Sequence, residues 1–198
     1  MADMFDTSNV GIGKGREGGY AIVAPKGTDP TKFEDMTKTL KELLAIVTTA
    51  ESLGYVGSDG VKLSFDVDSD DFKDWGGDVI SSPISSFTES ATMTFQETRD
   101  SVLKVVFGDE NVTTNGATTV VRHNKNFNGA HLYVFDCVVS DTKVVRTIIP
   151  AGVITERDDI EYNGDDLVGY TPTIKCIAYA GYDGDGVRQL VYDSAKAE

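Results

Sequence analysis

The sequence predicts a mainly β fold, an antiparallel β-sandwich or barrel with one or two flanking α-helices. Three observations predict it. Several short segments alternate apolar and polar residues with period two. Turn-forming Asp-Gly, Gly-Gly and Asp-Thr pairs separate them. Only two stretches carry apolar residues at helical spacing. The chain of 198 residues is read as one domain, 1–198, with an N-terminal arm at 1–15 and a helical loop insert at 28–54. A chain of this size buries enough surface to fold without disulfides or metals.

The arm is glycine-rich and carries isolated apolar anchors, Phe5, Val10 and Ile12. Tyr20 to Ala24 is a short apolar run closed by Pro25, which reads as a strand. In the insert, Phe33, Met36, Leu40, Leu43 and Val47 recur at spacings of three and four, opposite Glu34, Asp35, Lys38, Lys41 and Glu42. This predicts an amphipathic helix whose stripe must be buried, either on its own core or on a neighbouring subunit. Val61, Leu63, Phe65 and Val67 then alternate with Lys62, Ser64, Asp66 and Asp68, as in a half-buried strand. Asp74-Trp75-Gly76-Gly77 breaks that pattern, and Val79-Ile80 resumes it. Ala91, Met93 and Phe95 form a further alternating strand. It leads into a short helix over 100–107 that stops at Gly108.

The remainder reads as β. Residues 130–140 are apolar at nearly every position, so both faces are expected to be covered, with 143–149 as hairpin partner. Residues 171–179 and 187–192 are expected to form a last hairpin across the 181–186 turn.

Charge and motifs exclude several functions. A net charge of −14 and a pI near 4.4 leave no basic stripe for phosphate-backbone binding or for docking on an anionic membrane. No apolar run approaches a membrane span. The two cysteines, Cys137 and Cys176, lie inside apolar runs and are expected to be buried thiols of a protein made in a reducing compartment. Gly11-Ile12-Gly13-Lys14-Gly15 lacks the spacing and the Lys-Ser/Thr ending of a phosphate loop, and Arg16 stands where a dinucleotide fingerprint needs glycine. Asp66, Asp68 and Asp70 start like a calcium loop, but Gly77 occupies the position of the bidentate glutamate. His123 and His131 lack zinc-ligand spacing, and Gly57-Ser58-Asp59-Gly60 misses a nucleophile elbow because residue 56 is Val56. No catalytic residue, cofactor or metal site is expected.

Several blocks together resemble the major tail protein, or tail tube protein, of siphophages. They are 19–28 (GYAIVAPKGT), 53–61 (LGYVGSDGV), 74–79 (DWGGDV), 87–112 ending FGDENV, and 146–150 (RTIIP). They occur in family order between about residues 10 and 192, with the charged insert between Lys32 and Glu51 as a departure from many relatives.

The resemblance implies a sandwich of antiparallel sheets with a flanking helix. It implies six copies to a ring, rings stacked into a virion tail tube, and four channel-lining strands per subunit. It implies as partners the protein itself, a tape-measure protein, tail terminator and tail-tip proteins, and passing double-stranded DNA, with assembly in the host cytoplasm. Twenty-four strands spaced roughly 4.8 Å and tilted about 45° enclose a backbone circle roughly 50 Å wide, which side chains narrow to about 40 Å. Six copies carry about 84 negative charges, so an acidic wall repelling phosphate is expected.

On this reading the subunit contacts are made by Phe5, Val10, Ile12, the stripe Phe33, Met36, Leu40, Leu43 and Val47, and Trp75. The open sheet edges are expected at 130–149 and 91–95. Two other classes stay open from the residues alone. One is a different non-catalytic β-rich virion, bacterial surface or pilus subunit. The other is an enzyme with an unfamiliar carboxylate site, which would require a deep pocket of convergent acids.

Overall fold

The computed structural model describes residues 10–17, 19–127 and 129–196. In chain order the first elements are β1 (Lys14–Gly15), β2 (Ala21–Pro25), α1 (Leu40–Ile46), β3 (Glu51–Ser52) and β4 (Val56–Ser69). There follow β5 (Phe72–Lys73), β6 (Val79–Ser81), β7 (Ile84–Phe95), α2 (Asp100–Phe107), β8 (Val112–Asn115) and β9 (Thr118–Val121). The last four strands are β10 (Ala130–Val138), β11 (Lys143–Arg157), β12 (Pro172–Cys176) and β13 (Arg188–Asp193).

All the strand pairings of the main sheet are antiparallel, and its order is β3-β2-β10-β11-β12-β7-β4. Strand β11 divides it into two layers. Its first half pairs with β13 over 143–148, and its second half pairs with β12 over 152–157. The first layer is therefore β3-β2-β10-β11-β13, and the second is the end of β11 with β12, β7 and β4. The crossing occurs at Pro150-Ala151-Gly152, where β11 carries one residue more than β10 between Tyr133↔Ile149 and His131↔Gly152. A proline tolerates such a bulge because its absent N–H is not needed in the ladder. A side chain at Gly152 would meet Ile174 at 2.5 Å and Tyr133 at 2.8 Å, so the crossing needs glycine.

Parity on β10 explains why it is apolar throughout. Tyr133 and Phe135 face the space between the layers, with Val23, Ala91, Met93, Phe95, Ile149 and Ile174. Leu132 and Val134 face the other way, with Ile22, Ala24 and Ile148. Helix α2 closes the inter-layer core with Val102, Val105 and Val106, and Gly108 stops it at φ 93°. The 28–54 segment covers the second face.

That cover is where the reading of a single interface helix is corrected. The segment is a 3-10 turn at Pro30–Phe33 followed by α1. Between them Asp35 turns the chain by accepting from the Thr37 N–H at 3.1 Å. Thr39 then restarts the helix with a capping box, Thr39 N–H donating to Glu42 at 2.7 Å and Glu42 N–H to the Thr39 hydroxyl at 3.3 Å. Phe33, Met36, Leu40, Leu43 and Val47 are all buried within this subunit. The apolar stripe folds down on its own sheet and offers no open face to a neighbouring subunit.

A buried ion pair clamps the cover in place. Arg146 donates to both oxygens of Asp136, at 2.6 and 2.7 Å. Its other three N–H groups donate to the carbonyls of Phe33 (2.9 Å), Asp35 (2.9 Å) and Lys38 (2.7 Å). Arg16, just past the arm, joins by donating to Lys38 O at 2.9 Å and Asp136 at 3.1 Å.

Two further expectations are corrected. Strands β12 and β13 do not form a hairpin, because each pairs with a different half of β11. A 3-10 turn at Ala180–Tyr182 carries the chain between the layers, with Tyr182 buried under the cover. The strands around 91–95 and 130–149 are not sheet edges, since β7 lies between β12 and β4, and β10 between β2 and β11.

Two substitutions test this account of the cover. Leu40→Asp should unfold the subunit, because it puts a charge into a closed apolar site. Arg146→Met should cost about 3–5 kcal/mol by leaving Asp136 buried without its partner. Chemical denaturation of both variants measures these effects, and a Leu40→Asp protein as stable as wild type would show that the stripe is not core.

Candidate assembly surface

The second layer ends in an open strand. Strand β4 is outermost, and its inner side pairs with β7 from Val61↔Met93 to Ser69↔Ile84. Leu63 reaches the inter-layer core, but the ladder continues past the sandwich. There the alternation seen in the sequence persists while its apolar face stays uncovered. Phe65 is 62 % exposed, Val67 51 % and Phe87 58 %. The strand was expected to be half-buried, and the difference has a plain cause: the first layer is too short to reach the outer half of this hairpin.

At the end of the hairpin, β5 and β6 form a small second ladder. Asp74 builds the turn between them. Its carboxylate accepts from Asp78 N–H at 2.8 Å, its own N–H donates to Asp78 O at 2.9 Å, and Gly77 takes φ 93°. The turn presents Trp75 wholly to solvent, and Phe72, Val79, Ile80 and Ile84 are exposed near it. The base of the hairpin is fixed: Tyr55 N–H donates to Glu97 at 3.0 Å, and Gln96 N–H to Tyr55 O at 3.0 Å. A groove of about 610 Å³ opens beside this base, between Val61 and Leu63 on one layer and Phe135, Cys137 and Val145 on the other.

The residues expected to make contacts therefore separate into three groups. Trp75 stands on the open hairpin. Val10 and Ile12 are exposed on the arm, which runs beside the end of β10. The five stripe residues are core, and Phe5 lies outside the described residues. Phe65, Val67, Phe72, Val79, Ile80, Ile84 and Phe87 were missed as surface. The 70–86 stretch is rich in Asp, Ser and Gly, and although Val79-Ile80 was read as resuming a strand, nothing in it announced that this return would stand uncovered. The β8–β9 hairpin was also missed, although Asn115-Gly116 is a strong turn signal and Gly116 takes φ 61°.

Asp66, Asp68 and Asp70 do not converge, and among the described residues no group of three His, Cys, Asp or Glu is placed to hold a metal ion. Among them also, no helix is long and apolar enough to cross a membrane.

Comparison with known proteins gives a family and likenesses to solved structures. The model of a family described as phage tail tube protein matches residues 17–185. A chain in a structure described as the tail of an empty GTA particle with C6 symmetry is 12 % identical. The match covers 79 % of this chain and 89 % of that one, with a TM-score of 0.37, too loose for details of one to be read from the other. No curated protein matches.

The two histidines have different surroundings. His123 packs tilted against Phe107, with ring centroids 4.6 Å apart. His131 is buried, with Nε2 donating to Asp109 at 3.0 Å. Beside it Tyr133 is enclosed, and burial, then the Asp109 charge, pushes its phenol well above the ordinary tyrosine range. His131→Ala should destabilise the subunit by about 1–3 kcal/mol through the lost bond and packing. His123→Ala should change stability by less than about 1 kcal/mol. Urea midpoints of the two variants give the comparison, and equal losses would contradict it.

Proposed function

Because the chain belongs to the phage tail tube protein family, we propose that it builds the tube of a phage tail from six-membered rings that stack and conduct DNA. A tape-measure protein fills the tube during assembly, and terminator and tip proteins close its ends. Assembly takes place in the host cytoplasm.

The observation that carries this reading is the open β4 edge with its uncovered apolar face. An unpaired edge of fourteen residues is a template for another strand, and a lone soluble protein normally blunts such an edge. Here the edge is long and flanked by Phe65 and Val67, and among the described residues no strand pairs with its outer side. A second copy supplies both missing things, strand and apolar cover.

Strand direction favours a ring over a closed pair. Strands β4, β7, β12 and the end of β11 alternate in direction. Beyond Val153, β10 no longer pairs with β11. A β4 edge laid against the end of β11 in the next copy is again antiparallel, so four strands per copy repeat without a break in the alternation. Such head-to-tail joining closes into rings, whereas β4 on β4 stops at a dimer. The tip bearing Trp75 lies beyond the layer and serves as the contact with a neighbouring copy, and the exposed arm residues Val10 and Ile12 serve with it.

Electron microscopy and sedimentation at high protein concentration test this. Wild type should form rings or tubes about 100 Å wide, the width of a channel wall plus an outer layer. Phe65→Lys and Trp75→Ala should melt within a few degrees of wild type, since both side chains are exposed, but assemble poorly or not at all. A wild-type protein that stops at a dimer, or a Phe65→Lys protein that polymerises normally, would sink the proposal.

A further inference from the structure

One acid interrupts the apolar face of the open hairpin. On the side of β7 turned toward the first layer the residues run Phe87, Glu89, Ala91 and Met93, of which Ala91 and Met93 are core. Glu89 lies directly opposite Phe65 on β4, and Phe87 lies opposite Val67. On the other side, the register Ile174↔Ala91 and Lys175↔Ser90 brings Cys176 next to Glu89. The carboxyl thus stands where the closed core gives way to the uncovered face. It lines a small cleft of about 140 Å³ with Leu63, Phe65, Val187 and Gln189.

Nothing around Glu89 answers its charge. No residue lining that cleft is a cation. The turn before β13 brings Asp185, a charge of the same sign, and β12 brings the Cys176 thiol. Burial, then the Asp185 charge, holds the Glu89 carboxyl above the ordinary glutamate range. Burial, then the Glu89 charge, pushes Cys176 up to about 12. The neighbouring cations are engaged or placed elsewhere. Arg188 lies over the Tyr182 ring and donates to Glu34. Lys175 and Lys62 stand in register with Ser90 and Thr92, on the opposite face of the layer.

We infer that Glu89 is a brake on self-assembly: ionised, it opposes covering of the β4–β7 face, and a second copy that covers this face drives a proton from solvent onto it. The inference rests on the joining of copies proposed above. Geometry makes the conflict unavoidable. Phe65 faces Glu89 across the ladder and Phe87 precedes it by two residues on the same side, so a cover spanning both rings crosses the carboxyl. A carboxylate taken from water into apolar contact without a partner is costly, and a group so placed neutralises instead. A charge on the apolar side of an open strand is also a device that keeps sheet edges from pairing indiscriminately.

The sign of the pH dependence follows. The covered state binds one more proton per copy than the free subunit, so joining is favoured as pH falls. The critical concentration should drop by up to about tenfold per pH unit, levelling off once Glu89 is protonated in the free subunit.

Sedimentation of wild type, Glu89→Gln and Glu161→Gln between about pH 5 and about pH 8 tests this. Glu161 is exposed on the β11–β12 connection, so its variant removes the same charge from an acidic chain without touching the hairpin. Wild type and Glu161→Gln should both assemble more readily as pH falls. At about pH 8, Glu89→Gln should assemble at a critical concentration at least about tenfold lower than either. It should also show a flatter pH dependence and melt no lower than wild type. An equal gain in the two variants would mean that net charge alone restrains joining, and would overturn the brake. Weaker assembly of Glu89→Gln would mean that a cation of the neighbouring copy meets the carboxylate, and would overturn it as well. If neither wild type nor Glu89→Gln joins at any pH, the ring reading is what fails, and the brake falls with it.

Discussion

The pairing of Arg146 with Asp136 is the interaction on which the rest of the subunit depends. A guanidinium has five N–H groups in a fixed plane, and here each has an acceptor: two carboxylate oxygens and three carbonyls. The carboxylate neutralises the charge, so an arginine with no exposed side-chain surface is tolerable. The carbonyls come from the turn region of the 28–54 segment, where Asp35 O also accepts from Lys38 N–H at 3.3 Å. One side chain thus fixes where a long insertion lies on the sheet. With the insertion in place, Leu132, Val134 and Ile148 are covered and the first layer has a dry outer face.

From that fixed layer the second one follows. Strand β11 starts beneath the cover, carries Arg146, crosses at the Pro150 bulge and ends by pairing with β12. The layers share this strand, so their relative position is set by covalent continuity as well as by the core between them. The four-stranded layer is wider along the strands than the layer that backs it. Its outer hairpin is therefore left without cover as a direct result of unequal strand lengths, and the uncovered part is where Phe65, Val67, Phe87 and Trp75 stand.

Much of this was legible in the residues. Period two marked β4 and the end of β7, the four-residue spacings and Gly108 marked α2, and the unbroken apolar run of β10 announced two covered faces. What sequence could not show was which neighbour does the covering. The helical stripe of 33–47 demanded burial, but a stripe on its own core and a stripe on a partner have the same spacing. Asp35 and Thr39 hold the signals that break the helix, and they are visible only once their hydrogen bonds are known. Conversely Phe65 and Val67 look like core because alternation reports strand geometry, not the presence of a second layer. Arg146 lay in a block singled out by resemblance, yet its role depends on carbonyls more than a hundred residues away in the chain.

The pairing pattern also governs how the chain reaches this state. Ala21 waits for Phe135 and Ala91 for Ile174. A protein dominated by such distant pairings folds slowly, because loop closure precedes any reward from contact. During synthesis the N-terminal strands emerge long before their partners, with apolar faces and unpaired edges exposed to other nascent chains. The hairpins β4–β7, β8–β9 and β10–β11 are exceptions, since they close locally, and β4–β7 is the first of them to emerge. The part of the molecule whose apolar face stays uncovered in the finished subunit is thus among the parts that can form first, and the final strands β12 and β13 decide when that surface is backed by a rigid body.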